Sequence, residues 1–64
     1  MHKGKVKFFN QKNKFGFIKE DETGKEYYVH IKDVEGNIEE NDYVSFEIKD
    51  AQRGPQAVEV KKIE

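Results

Sequence analysis

Residues 14–18 read Lys-Phe-Gly-Phe-Ile, and residues 28–30 read Tyr-Val-His. Side chains alternate between the two faces of a β-strand, so Phe15 and Phe17 share one face, as do Tyr28 and His30. If the two segments pair as a hairpin, four ring-bearing side chains come together on one surface. Such a surface suits either a hydrophobic core or the stacking of nucleic-acid bases.

The aliphatic residues of the chain indicate which face is the core. At a strand period of two, each predicted strand contributes one to three apolar side chains to a single inward set. This set consists of Val6, Ile18, Val29, Val44, Phe46, Ile48, Val58 and Val60. Ile18 and Val29 have the opposite parity to the four rings, and a one-residue slip would exchange the two faces completely. We therefore predict an aliphatic core and an exposed patch formed by the rings.

An exposed patch of this kind needs a binding partner, because soluble monomers rarely leave one uncovered. Single-stranded nucleic acid is the partner we expect, since rings stack on bases with little regard to base identity. The alternative is that the aromatic face is a protein-docking or dimer interface.

Five predicted strands alternate with turn signals, and no segment has a convincing helical period. The strands span residues 3–9, 15–20, 26–31, 43–49 and 56–62. Turns are predicted at 10–13 and 21–25, a loop at 50–55, and one short helical turn at 32–36 that ends at Gly36. An acidic connection follows, in which only Ile38 is available for burial. This pattern predicts an all-β fold, a small antiparallel barrel.

Two positions in this pattern are ambiguous. Phe8 and Phe9 are adjacent, so alternation does not tell which is exposed, and a bulge near them would change the assignment. Gly16 lies inside a strand, where glycine usually marks a bulge or a close approach by another backbone or a ligand.

The charge of the chain is divided unevenly along its length. The formal net charge is -1, from 12 basic and 13 acidic residues. Residues 1–19 contain six lysines and no acidic residue, whereas residues 20–64 contain six basic and thirteen acidic residues. The six lysines are Lys3, Lys5, Lys7, Lys12, Lys14 and Lys19. We interpret them as a basic ribbon that holds phosphates beside the rings; the alternative is that they only solvate the outer strand faces.

The composition argues against several other classes of protein. The 64 residues suffice for one domain, spanning 1–64, and the absence of cysteine excludes disulfides and thiolate metal sites. His30 has no neighbouring metal-ligating residues, His2 is expected in a mobile terminus, and no catalytic constellation is present, so we expect no enzyme, cofactor or metal. No segment is long enough to span a membrane, and we expect no signal peptide before the domain. We expect a cytoplasmic monomer, or a dimer if the aromatic face pairs.

Taken together, several segments resemble one family, the bacterial cold-shock proteins, over nearly the whole chain and at nearly family spacing. The matching segments are residues 4–10 (Gly-Lys-Val-Lys-Phe-Phe-Asn), 15–18 (Phe-Gly-Phe-Ile), 28–30 (Tyr-Val-His), 44–48 (Val-Ser-Phe-Glu-Ile) and 53–57 (Arg-Gly-Pro-Gln-Ala). The resemblance implies a five-stranded antiparallel OB-fold barrel that binds single-stranded RNA or DNA and acts as an RNA chaperone. In this family, residues 15–18 resemble the RNP1 motif and residues 28–30 the RNP2 motif.

The resemblance and the basic ribbon together give a set of candidate nucleic-acid-binding residues, in which Lys12 and Lys14 come from the ribbon. The full set is Lys7, Phe8, Lys12, Lys14, Phe15, Phe17, Glu26, Tyr28, His30 and Arg53. Phe8 stands where the family usually has tryptophan, which implies that it lies on the binding face after a bulge, and Glu26 matches an acidic position that accepts hydrogen bonds from a base edge. Lys14 replaces a glycine and Ile31 replaces an aromatic residue. The connection at 32–42 is shorter than usual and lacks the family's loop aromatic, so fewer rings are available.

Overall fold

The computed structural model describes residues 2–52 and 54–63 of the chain, which form six strands. The strands are β1 (His2–Asn10), β2 (Phe15–Glu20), β3 (Glu26–His30), β4 (Val34–Glu35), β5 (Tyr43–Ala51) and β6 (Gly54–Lys62). A single 3₁₀ turn at Ile31–Asp33 separates β3 from β4. The helical turn predicted at 32–36 is thus shorter and begins one residue earlier.

Five of these strands close into a barrel, which confirms the predicted fold class. The sheet order is β3-β2-β1-β5-β6, and β6 then pairs with β3 to complete the ring. Neighbouring strands are antiparallel except at this closure, where Tyr28 pairs with Gln56 and Val29 with Ala57 in parallel. The two-residue β4 lies along β6, also in parallel. The hairpin between β5 and β6 is longer than predicted, because pairing continues through Ala51 and Gly54.

The core is the aliphatic face predicted from the sequence, with one exception on β6. Its members are Val6, Ile18, Tyr27, Val29, Ile38, Val44, Phe46, Ala57 and Val60, against which Ile48 is partly buried. Val58 was predicted to be inside but is only half-buried, and Ala57 takes the inward position. Glu59 adopts a φ of 51°, and this left-handed residue breaks the alternation, so that both Ala57 and Val60 face the core.

A bulge in β1 decides between the two adjacent phenylalanines. Val6 pairs with Ile18, but the next pair joins Phe8 to Phe17, so Lys7 is an extra residue in the ladder. Because of this insertion, Phe8 faces outward and is 41% exposed, whereas Phe9 packs against the core.

The start of β1 is tied to the barrel by a buried carboxylate, which corrects the expectation of a mobile His2. His2 Nδ1 lies 2.6 Å from Glu20 Oε2, and the His2 ring stacks on Phe46 at a centroid distance of 5.8 Å. The other carboxylate oxygen accepts hydrogen bonds from Thr23 Oγ1 at 2.9 Å and from Tyr27 Oη at 3.4 Å. These hydrogen bonds, led by that of His2, hold the pKa of Glu20 below its ordinary value. Burial and the nearby Glu20 charge raise the pKa of Tyr27.

The two predicted turns form where their residues indicated. Asn10 Oδ1 accepts hydrogen bonds from the backbone N–H groups of Lys12 and Asn13, at 2.9 and 3.0 Å, which closes the first turn. Gly24 has a φ of 73° in the second turn, as a tight reversal requires. Both turns leave β1, β2 and β3 as a continuous three-stranded surface.

Candidate nucleic-acid interface

Four rings form one continuous cluster on the outer face of β1, β2 and β3. We call the four, Phe8, Phe15, Phe17 and Tyr28, the aromatic surface. Phe15 is at its centre: it stacks on Tyr28 at 5.9 Å and 19° and meets Phe8 and Phe17 edge-on, each at 6.1 Å. Phe17 also meets Tyr28 edge-on at 6.1 Å. Three of the four rings predicted to meet, Phe15, Phe17 and Tyr28, are thus in contact. Phe8 joins them, and His30, the fourth predicted ring, pairs with Phe15 across β2 and β3.

The pairing of strands explains why these rings meet. Phe17 is opposite Tyr28 across β2 and β3 and opposite Phe8 across β2 and β1, so one row of side chains crosses three strands. Phe15 and His30 form the next row. Phe15, Phe17, Tyr28 and His30 are all half-buried, so each supports its neighbours while keeping part of its ring accessible.

His30 is held in one orientation by the turn that follows it. Its Nδ1 accepts a hydrogen bond from the backbone N–H of Lys32 at 3.2 Å, which caps the 3₁₀ turn. Because Nδ1 is an acceptor here, the neutral ring carries its proton on Nε2. The free edge of His30 therefore presents a hydrogen-bond donor.

The lysines predicted for phosphate contact lie at the edges of the aromatic surface. Lys7 Nζ is 2.7 Å from Glu26 Oε2, an ion pair in which both side chains are about half exposed. Lys12 and Lys14 are exposed in the turn between β1 and β2. Lys14 has a φ of 65°, a left-handed conformation that favours glycine, the residue that the cold-shock resemblance expects there. Arg53, the remaining predicted basic residue, lies outside the described residues.

Gln56 is a neighbour of the aromatic surface that the sequence did not reveal. It pairs with Tyr28 at the closure of the barrel and helps to line an open groove of about 330 Å³. The other lining residues are Tyr28, His30, Lys32, Ala51 and Gln52. With Ala57 inside in place of Val58, the alternation of side chains puts Gln56 on the outer face. Nothing in the local sequence, however, indicates that β6 pairs with β3.

The described residues include no group of three or more histidine or acidic side chains arranged to hold a metal ion. Within the same ranges, no helix is long and apolar enough to cross a membrane.

Comparison with known proteins identifies the family of the chain. The family model described as "'Cold-shock' DNA-binding domain" matches residues 2–63. The chain belongs to the cold-shock domain family. Among curated members of the family, the chain is 48% identical to the cold shock protein CspD of Bacillus subtilis (strain 168), over 98% of this chain and 100% of that protein. It is also 48% identical to the cold shock-like protein CspD of Bacillus cereus, over 97% and 98% of the two chains.

A more distant bacterial member and a solved structure extend the comparison. The cold shock-like protein CspC of Escherichia coli (strain K12) is 43% identical, over 95% of this chain and 94% of that protein. The solved structure "drosophila Unr CSD456" superimposes with a TM-score of 0.80 at 23% identity over 98% of this chain. The chain spans 26% of the length of that structure, and the likeness bears on the fold alone.

Proposed function

We propose that this cold-shock domain protein binds single-stranded RNA or DNA with little sequence preference and keeps bound RNA unfolded. The observation that supports the proposal is the aromatic surface itself, four contacting rings on one side of a small barrel. Bases stack on such rings for about 1–3 kcal/mol each, without much regard to base identity. A binding role of this kind in the cytoplasm needs no catalytic group, cofactor or metal.

The charges around the rings favour nucleic acid, and not an apolar protein surface, as the binding partner. Exposed Lys12 and Lys14 stand at one end of the aromatic surface, and Lys7 stands beside Phe8. Lysines at these places attract a phosphate backbone while its bases lie on the rings. Glu26, paired with Lys7, supplies carboxylate oxygens that accept hydrogen bonds from a base edge.

The chaperone role follows from this mode of binding. A base stacked on Phe17 or Tyr28 has left its own helical stack, so a bound segment is not available for pairing. Because only a few phosphate contacts and stacked bases are made, binding is moderate and reversible. We expect the monomer to exchange along RNA rather than to form a permanent complex.

The test is a titration with short oligothymidine at two salt concentrations, with the oligomeric state followed by sedimentation. Three or four phosphate contacts from lysines and Arg53 predict a slope of about -2 to -3 in a log–log plot of affinity against salt. Affinity that is indifferent to salt would contradict the role of the basic ribbon. A dimer that buries the aromatic surface and binds no oligonucleotide would establish the protein-docking alternative.

A further inference from the structure

The groove beside Tyr28 contains a side-chain amide whose orientation is fixed from behind. Gln56 Nε2 donates a hydrogen bond of 2.8 Å to Asp33 Oδ2. A carboxylate accepts hydrogen bonds and does not donate them, so the atom of Gln56 that faces Asp33 must be the NH₂ group. This contact removes the usual ambiguity about which way an amide points.

Asp33 is not among the residues that line this groove. It lines a different cavity, with Lys32, Val34, Glu35, Val58 and Glu59, whereas Gln56 lines the groove with Tyr28 and His30. Because Nε2 of Gln56 is engaged by Asp33, Oε1 is the amide atom that Asp33 leaves available to a ligand in the groove. The amide therefore presents an acceptor beside the aromatic surface.

His30 presents the opposite polarity in the same groove. Its Nδ1 is engaged by the backbone N–H of Lys32, so in the neutral ring the remaining nitrogen is a donor. The groove thus carries one fixed acceptor and one fixed donor next to a ring on which a base can stack. At about 330 Å³, it is at the lower end of the size of small-ligand sites.

We propose that Asp33 is a positioning residue that sets the hydrogen-bond polarity of this groove, so that the base lying there must offer an N–H donor to Gln56 Oε1. This inference rests on the proposed binding of single-stranded nucleic acid and extends it to base recognition. In thymine and uracil the donor is N3–H. Without Asp33, the Gln56 amide is free to rotate and accommodates either an acceptor or a donor.

The test uses hexathymidine in which each thymidine in turn is replaced by N3-methylthymidine, which lacks the donor. For the unaltered protein we expect one position at which methylation weakens binding about tenfold. In Gln56→Ala this penalty is expected to disappear. If it persists, the bulk of the methyl group is its cause and the proposal is overturned. In Asp33→Ala the penalty is expected to fall below about threefold.

Two matched variants separate the positioning of the Gln56 amide from a general loss of negative charge near the groove. Glu35→Gln removes a carboxylate two residues away whose partner is Lys61, and it is expected to leave the methylation penalty intact. Asp33→Asn keeps the size of the side chain but can donate as well as accept, so it no longer fixes the Gln56 amide and is expected to lower the penalty as Asp33→Ala does. Equal penalties in the unaltered protein and Asp33→Ala would overturn the proposal. If no oligothymidine binds the unaltered protein, the proposed function itself fails.

Discussion

The Cα atom of Phe9 lies 2.9 Å from the point at which a Cβ atom on Gly16 would stand. The Phe8 carbonyl oxygen and the Phe9 ring crowd the same point. Such distances are closer than packed atoms tolerate, so only glycine allows β1 and β2 to approach here. The glycine inside the RNP1-like segment is therefore required by the bulge that turns Phe8 outward.

Replacing this glycine is expected to destabilise the barrel. Gly16→Ala forces a methyl group against the backbone of β1, which cannot move aside as a flexible side chain would, and overpacking of this kind costs about 1–3 kcal/mol or more. Gly24→Ala is the matched control: open space surrounds Gly24, but its φ is +73°, so its cost is about 1–2 kcal/mol from the backbone alone. Urea unfolding measures both. A loss below about 1 kcal/mol for Gly16→Ala would contradict the close approach.

Substitutions on the two faces of the sheet are expected to separate binding from stability. Phe17→Ala and Tyr28→Ala each remove a stacking platform and should weaken oligonucleotide binding by about 1–3 kcal/mol. Val29→Ala opens a cavity in the core and should lower the free energy of unfolding by about 2 kcal/mol or more. The measurements are fluorescence titration and urea unfolding on the same preparations. If Phe17→Ala unfolds the domain instead, the aromatic surface is a structural support and not a binding face.

Replacing Lys14 with glycine is expected to stabilise the fold and to weaken the binding of nucleic acid. Lys14→Gly relieves a left-handed conformation that costs a non-glycine residue about 1–2 kcal/mol, offset by about 0.5–1 kcal/mol of added chain entropy in the unfolded state. We expect a net stabilisation of about 0.5–1 kcal/mol, together with weaker binding and a salt slope shallower by about one phosphate contact.

Lys12→Gln is the control for Lys14→Gly, because it removes a cation from the same turn without changing a left-handed residue. It should reduce the salt dependence but not raise the free energy of unfolding. A lower stability for Lys14→Gly would mean that the lysine side chain supports the turn.

The buried Glu20 carboxylate predicts a loss of stability in acid. Its pKa in the folded state is lowered from 4.5, chiefly by the hydrogen bond to His2. The unfolded chain therefore binds the proton more readily, so stability rises with pH between the lowered pKa and 4.5. The contribution is fully present above that range and is lost as the pH falls through the folded pKa.

Thermal unfolding between pH 7 and pH 3 checks this expectation. Glu20→Gln should flatten the acid limb of the profile, whereas Glu22→Gln, an exposed residue in the adjacent turn, should leave it unchanged. Identical acid limbs in both variants would show that Glu20 does not carry the effect.

The sequence by itself determined the division of the chain into an aliphatic core and an aromatic face. Alternation is a local property of each strand, so the parity of Ile18 and Val29 against the rings was enough to separate the two faces. The turns at Asn10 and Gly24 were also predictable, because their residues make the turn with their own side chain or φ angle. The uneven charge distribution indicated the role of the lysines, and the resemblance to the family added Phe8 to the face.

Only the tertiary structure decided the features that depend on how distant strands meet. The bulge at Lys7 changes which side chains of β1 face outward. The left-handed Glu59 does the same in β6, where Ala57 and not Val58 enters the core. Closure of the barrel brings Gln56 to Tyr28, and the 3₁₀ turn brings Asp33 to Gln56. These contacts join residues far apart in the chain, and the free energy that selects them comes from closing and packing the whole barrel, which no local pattern encodes.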